Sequence, residues 1–181
     1  MRVRPAERSS RKNYCERKRL SQKQRAGKIY LVMQEPGYQL FADSVEKELR
    51  VSFGHKKSDA DKERAKQPLE QLGLSEKKER HPLSLSGGEK QRLSVAAALM
   101  QAAHIFFLDE PTSGLDLENM NRVSALLSDL RSEGKTVFVI THDYEFLLNT
   151  CDRVLWLDHG TIRKDVRLTV EILLRCRSFS K

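Results

Sequence analysis

The chain has 181 residues, 39% of them hydrophobic, and a formal charge of +8. That length suits one domain with a core of ordinary size, and two complete lobes would fit only tightly. The charge is concentrated: residues 1–28 hold eleven Lys and Arg against two acids, which leaves the rest of the chain close to neutral. A basic lead of this kind can meet nucleic acid or an anionic membrane, but most such runs are simply solvated and poorly ordered. The lead has no apolar stretch long enough for a secretory signal, and nowhere does the chain carry a run that could span a bilayer, so any membrane link must come through a partner. Cys15, Cys151 and Cys176 are widely spaced, with no CxxC pair. They fit a reducing cytosol and offer no metal or disulfide framework.

In chain order, Ile29 to Met33 reads as a short buried strand, stopped by Gln34, Glu35, Pro36 and Gly37. Asp43 or Ser44 can cap a helix whose first turn holds Glu46 and Glu48, well placed against the helix dipole. A second helix is expected near Lys62 to Leu72, closed by Gly73. The loop Leu85 to Gly88 opens a strongly helical run from Glu89 to Ala103. The strand Ile105 to Leu108 follows and ends in Asp109 and Glu110, with Pro111 breaking it. Leu117 to Ser132 carries Met120, Val123, Leu126, Leu127 and Leu130 at helical spacing, a core-facing stripe. A strand over Thr136 to Ile140 leads into Thr141, His142 and Asp143. A short helix comes next, and Val154 to Leu157 forms a last strand turning at His159 and Gly160. Buried strands alternating with helices predict an α/β layer with a largely parallel sheet. For residues 164–181, Val170, Ile172, Leu173 and Leu174 suggest a helix.

Asp109 and Glu110 are the first residues whose placement demands a function. A parallel strand delivers its end into the crevice where open α/β sheets bind ligands, and two acids there are costly unless a cation or a reactive group meets them. Phosphoryl transfer uses such a pair, one carboxylate to hold magnesium and one to orient the attacking water. Taken alone, an acidic pair is more often a cap or a salt-bridge site. His142, ending the next strand, would point into the same crevice and could donate to a terminal phosphate oxygen as charge builds, though a lone histidine there is usually structural. Ser86, Gly87 and Gly88 precede a helix, so their backbone N–H groups and the helix dipole form an anion site, or else a plain cap and turn.

LSLSGGEKQRLSVAAAL at 83–99, IFFLDEPTSGLD at 105–116 and VFVITHD at 137–143 closely resemble the ABC ATPase family in order and interval. The resemblance covers about residues 29–163 and implies a P-loop NTPase-like α/β core with a helical subdomain at about 44–100. Residues 1–28 are then a lead and 164–181 a tail. It makes Leu85 to Gln91 the signature motif, with Ser86, Gly87, Gly88 and Gln91 on nucleotide. It also makes Asp109 the magnesium-site acid, Glu110 the catalytic base, Ser113 to Asp116 the D-loop, His142 the switch histidine and Gln34 the glutamine that senses magnesium and water. The implied cofactors are ATP and magnesium. The implied partners are a second ABC ATPase subunit, identical or not, and transmembrane transporter subunits, with the chain peripheral on the inner face of the cell membrane. VMQEPGYQLFADSVEKEL at 32–49 further resembles the ATPases of energy-coupling-factor transporters, which import vitamins and metal ions.

The phosphate-binding loop of that family, G-x-x-x-x-G-K-[ST], is missing from the sequence. Gly134, Lys135 and Thr136 supply its last letters, but Asp129 stands where the first glycine belongs, and the segment closes a helix instead of opening one. Gly27 and Lys28 fail because Ile29 follows. With 33 residues before Gln34, the expectation is a chain that starts between the phosphate loop and Gln34, lacking the N-terminal β-rich part and the adenine-stacking aromatic. Such a chain should bind ATP weakly by itself, since its acids face a triphosphate with only magnesium to offset repulsion. Two other functions stay open: a non-catalytic partner that lends its signature face to another subunit, or a nucleic-acid-associated ABC protein using the basic lead. Against the latter stand the lack of zinc-ligand spacing and of long heptads, so no nucleic-acid partner is expected.

Overall fold

The computed structural model describes residues 14–15, 18–19, 27–52 and 59–168. Most of the basic lead and the expected helix around Val170 to Leu174 lie outside those residues. Two-residue strands β1 (Tyr14–Cys15) and β2 (Lys18–Arg19) pair antiparallel within the lead. The centre is a parallel three-stranded sheet of β3 (Ile29–Val32), β4 (Ile105–Asp109) and β5 (Thr136–Ile140), in that spatial order.

Alternation along these strands sorts their side chains by face. Val32, Phe106 and Leu108 are fully buried, with Tyr30, Val137 and Val139 packed beside them. Each such aliphatic or aromatic side chain contributes about 1.5–3 kcal/mol on leaving water. The opposite face is apolar but open: Ile29, Leu31, Phe138 and Ile140 are all exposed, and Phe107 stacks on Phe138 with ring centroids 4.8 Å apart. Among the described residues this face has no covering layer.

Helix α3 (Gly87–Leu99) is the hub that covers the buried face. It packs on β3 and on helices α1 (Val45–Ser52), α2 (Asp59–Gln71) and α4 (Leu117–Ser132). Its run from Gln91 to Ala98 is buried on every side, as a helix in the middle of a domain must be. It stops at Leu99, four residues short of the expected Ala103. The alanine-rich sequence carries no Gly or Pro to mark the end, and the stop is set by tertiary need: Met100 and Gln101 close the helix on the carbonyls of Ala97 and Ala98, and His104 N–H reaches Lys28 O at 3.0 Å to start β4.

Ser44, not Asp43, caps α1, its hydroxyl accepting from Lys47 N–H at 3.3 Å. Glu48 does not merely favour the dipole. It is 6% exposed, and its carboxylate accepts from the N–H groups of Phe41 and Ala42 at 2.8 and 2.7 Å. α2 starts three residues earlier than expected and keeps Pro68 within it. α4 and β5 have the expected bounds. After α5 (Tyr144–Thr150), β6 (Arg153–Asp158) is followed by a strand that the sequence did not reveal, β7 (Thr161–Arg167). β7 pairs antiparallel with β6 through a two-residue turn in which His159 and Gly160 both have positive φ, as such hairpins require. Its polar sequence TIRKDVR hides the period, and it runs through residue 164, where the tail was expected to begin.

Candidate functional site

Two groups of the expected residues come together, and they are linked. The first is the rim at the C-terminal ends of β4 and β5. Asp109 pairs with Ile140 across the ladder, and the next residue, Glu110, adopts φ of 48° while its N–H donates to Ile140 O at 2.9 Å. A left-handed backbone is unusual for glutamate and costs about 1–2 kcal/mol. It turns the chain sharply enough to aim the side chain along the rim, where Glu110 Oε1 lies 2.8 Å from His142 Nδ1. Thr141 Oγ1 donates to the other carboxylate oxygen at 3.4 Å. The pair is lopsided in exposure, 16% for the Glu110 side chain and 87% for that of His142. Hydrogen bonding to Glu110, reinforced by its negative charge, raises the His142 pKa above the ordinary 6.5.

The second group lines a shallow cleft of about 270 Å³ between the end of β3 and the start of α3. Gln34 and Gly37 form one wall, Gly87, Lys90 and Gln91 the other, with Ser113 at the side. Gln91 joins the cleft to the rim, its Nε2 donating to Glu110 O at 3.4 Å. Lys90 is the cleft residue that the sequence reading passed over. Its place inside LSGGEKQ, one residue before Gln91 on the same first turns of the helix, was the available signal.

Ser86 begins α3 with a reciprocal cap. Its hydroxyl accepts from Glu89 N–H at 3.4 Å, and Glu89 Oε2 accepts from Ser86 N–H at 3.0 Å. Lys77 donates to the same carboxylate, and this bond, aided by the Ser86 contact, holds the Glu89 pKa below the usual carboxylate range. The glycines have separate reasons. Gly87 has open space where a Cβ would stand, whereas a Cβ on Gly88 would come within 3.1 Å of Leu115 Cδ2 and 3.5 Å of Gly114 O. Ser86 and Gly87 are exposed, so the helix end opens outward.

Asp116 joins neither group. It is exposed, and its carboxylate caps α4 by accepting from Asn119 N–H at 2.8 Å and from the Asn119 side-chain amide at 2.9 Å. Gln34 lies in the cleft and Asp109 at the end of β4. Among the described residues no cluster of three or more His, Cys, Asp or Glu could hold a metal by itself. The oxygen donors present, one strand-end carboxylate and one side-chain amide, are those of a magnesium site that keeps its waters and is completed by phosphates. They fit such an ion only together with a nucleotide.

A parallel sheet that gathers acids and a histidine at its strand ends, beside a glycine-led helix, defines an α/β protein of the P-loop NTPase-like class. The chain belongs to the ABC transporter family, whose model matches residues 7–113. It is 46% identical over 81% of its length to an ABC transporter ATP-binding protein of Treponema denticola, covering 29% of that protein. It is also 43% identical over 76% of its length to the energy-coupling factor transporter ATP-binding protein EcfA2 of Ureaplasma parvum, covering 32% of it. The chain thus spans from 28% to 52% of the length of the curated relatives it matches. Among solved structures, CbiO1 of Clostridium perfringens, described as part of the ABC transporter complex CbiONQ, superposes with a TM-score of 0.72 at 26% identity, over 91% of this chain and 70% of that one. The ATP-binding cassette MJ0796, in a dimer bound to ADP and phosphate, gives 0.72 at 26% identity over 86% and 72%.

Proposed function

We propose that this chain acts as an ATP-binding subunit, or the signature-bearing part of one, in an ABC importer of the energy-coupling-factor type, coupling ATP hydrolysis to transport. Residues 29–163 form its ATPase domain, with the helical part at about 44–100. By itself the chain hydrolyses no ATP. Paired with a complete ABC ATPase, it closes one composite site by presenting the start of α3 to the nucleotide held by its partner.

The observation that carries this reading is the exposed, fully capped helix end at Ser86 and Gly87, tied through Gln91 to the rim at Glu110, in a sequence with no phosphate loop. A helix end of this kind offers backbone N–H groups and a partial positive charge to a phosphate. Ser86 adds a hydroxyl, and Gly87 lets the phosphate approach the backbone. On the chain's own rim, Glu110 is the group that would take a proton from water, oriented by Thr141 and His142. Asp109 and Gln34 would hold a magnesium ion, whose charge would offset that of the phosphates. These rim groups lack the lysine and glycine loop that would fix a triphosphate against them, which is why the helix end and not the rim is the working half.

Among the described residues no helix is long and apolar enough to cross a membrane. Tyr38, Phe41 and Val51, 74%, 82% and 66% exposed, follow Gln34 in the chain and support an apolar contact with transmembrane subunits on the inner face of the membrane. The name of the relative EcfA2 supports the energy-coupling-factor class.

The test is ATP turnover of the chain alone and mixed with a full-length ABC ATPase whose own signature serine is disabled. We expect none alone and recovery in the mixture. Turnover by the chain alone would defeat the missing-loop argument, and no recovery in the mixture would defeat the composite site.

A further inference from the structure

The loop from Met33 to Gln39 is tied at both ends by one side chain. β3 is the edge of the three-stranded sheet. Lys28 turns its carbonyl toward β4, accepting from His104 and Ile105 N–H at 3.0 and 3.1 Å. By strand alternation residues 30 and 32 also bond toward β4, and Leu31 and Met33 aim their peptide groups at the open edge. There Gln39 Oε1 accepts from Met33 N–H at 2.7 Å, and Gln39 Nε2 donates to Leu31 O at 2.8 Å. Those two atoms flank Val32, and they are the pair that one residue of a neighbouring parallel strand would engage. The carboxamide therefore stands in for a strand.

What lies between the two bonds is the Gln34 loop. Its turn is closed by Tyr38 N–H on Glu35 O at 3.3 Å and by Gln39 N–H on Pro36 O at 2.9 Å. Gln34 follows directly on Met33, the residue whose N–H is fixed, and reaches the cleft opposite Gly87 and Gln91. Gln39 Oε1 is the acceptor that holds Met33 N–H on that edge. The clamp needs one acceptor and one donor at fixed separation, which a primary amide supplies. A glutamate would keep the acceptor but set a carboxylate against the Leu31 carbonyl.

We propose that Gln39 is a positioning residue for Gln34, its side-chain amide acting as a one-residue strand that fixes the direction in which Gln34 leaves β3 and enters the cleft. The proposal rests on the assignment of Gln34 to the nucleotide site made above. It accounts for the Gln39 of the YQLF segment in sequence terms that the chemistry of the site leaves unused.

Backbone hydrogen exchange on the full chain tests the clamp without nucleotide or partner. Gln39→Leu should speed exchange at Met33 about tenfold, the loss of one protecting hydrogen bond, with Phe106 and Leu108 in β4 unchanged. Unchanged protection at Met33 overturns the proposal. Should Gln39→Leu fail to fold, Gln39→Glu carries the same test, with a smaller acceleration because the acceptor is kept. Turnover in the mixture with a complete ABC ATPase then separates positioning from mere stability. Because Gln34 faces Gly87 and Gln91 at the start of α3 across the cleft, Gln39→Leu should lower kcat and leave the KM for ATP unchanged, and the double variant with Gln34→Ala should be no slower than Gln34→Ala alone. Additive losses would overturn the link to Gln34. A wild-type chain giving no turnover in the mixture counts against the proposed function instead, and the exchange result then decides Gln39.

Discussion

The rim at Glu110 and the helix end at Ser86 both gather polar groups at the ends of elements, yet the helix end settles its needs locally and the rim carries a left-handed backbone. Around Ser86 the local needs are met at home: its hydroxyl and Glu89 cap each other, Lys77 neutralises Glu89, and Gly88 packs on Gly114 and Leu115. At the rim, two acids follow one another at a strand end, and Glu110, left-handed where its N–H bonds Ile140 O, has its carboxylate contacted by His142 and Thr141. On the proposed function the two are halves of a shared nucleotide site, and their difference bears on which half can work on loan. A self-sufficient helix end can serve a phosphate bound elsewhere, whereas an acid rim needs the phosphate delivered to it.

The sharpest way to break that comparison is to disable each half in the mixture with a complete ABC ATPase. Ser86→Ala removes one donor aimed at phosphate and should lower turnover about a hundredfold, the usual loss for one preorganised donor. Glu110→Gln should cost far less, because the phosphates it would serve have no loop to hold them on this chain. Steady-state turnover measures both. Equal losses would place chemistry on this chain's own rim.

The next test is one of stability and isolates the strain at Glu110. Glu110→Gly and Glu110→Ala both remove the bonds to His142 and Thr141, but only glycine adopts φ of 48° freely. The glycine variant should therefore be more stable than the alanine variant by about 1 kcal/mol, read from denaturant midpoints. If the two melt alike, the rim stores no strain. Ser86→Ala offers the counterpart at the helix end, where loss of the cap should cost about 1 kcal/mol.

These two regions were also unequally legible in the sequence. The helix α4 and the strand β5 were legible because the stripe Met120, Val123, Leu126, Leu127 and Leu130 marks the one and Gly134, with φ of 76°, releases the chain into the other. Ser86 was legible as a cap, and the structure adds the reciprocal bond from Glu89 three residues on. Nothing announced the left-handed backbone of Glu110, since that conformation is signalled by Gly or Asn and here the ladder bond to Ile140 imposes it. Asp116 looked like a ligand residue by its motif and is occupied as a cap, because a carboxylate at the start of a helix finds the nearest free N–H first. β7 was missed because Lys164 interrupts Ile162 and Val166 on one face and the other face is wholly polar, and the Gln39 clamp because a side chain that imitates a strand leaves no periodic trace.

The smallest expected effect is the most direct probe of the rim. His142 sits almost wholly in water, so its raised pKa comes from the contact with Glu110 and not from burial. A proton bound more tightly in the folded chain than in the unfolded one stabilises the fold at low pH. The contribution is fully present below about 6.5, the value for an unperturbed imidazole, and is lost as pH rises through the raised value. The stability gap between wild type and Glu110→Gln should therefore be widest in mild acid and narrow toward alkaline pH, and the imidazole midpoint of Glu110→Gln, followed by NMR, should fall back toward 6.5. A midpoint that stays raised without the carboxylate would mean that Asp143 or another neighbour sets the charge of the rim. The two halves of the site would then be joined to the protein in a different way from the one the 2.8 Å contact describes.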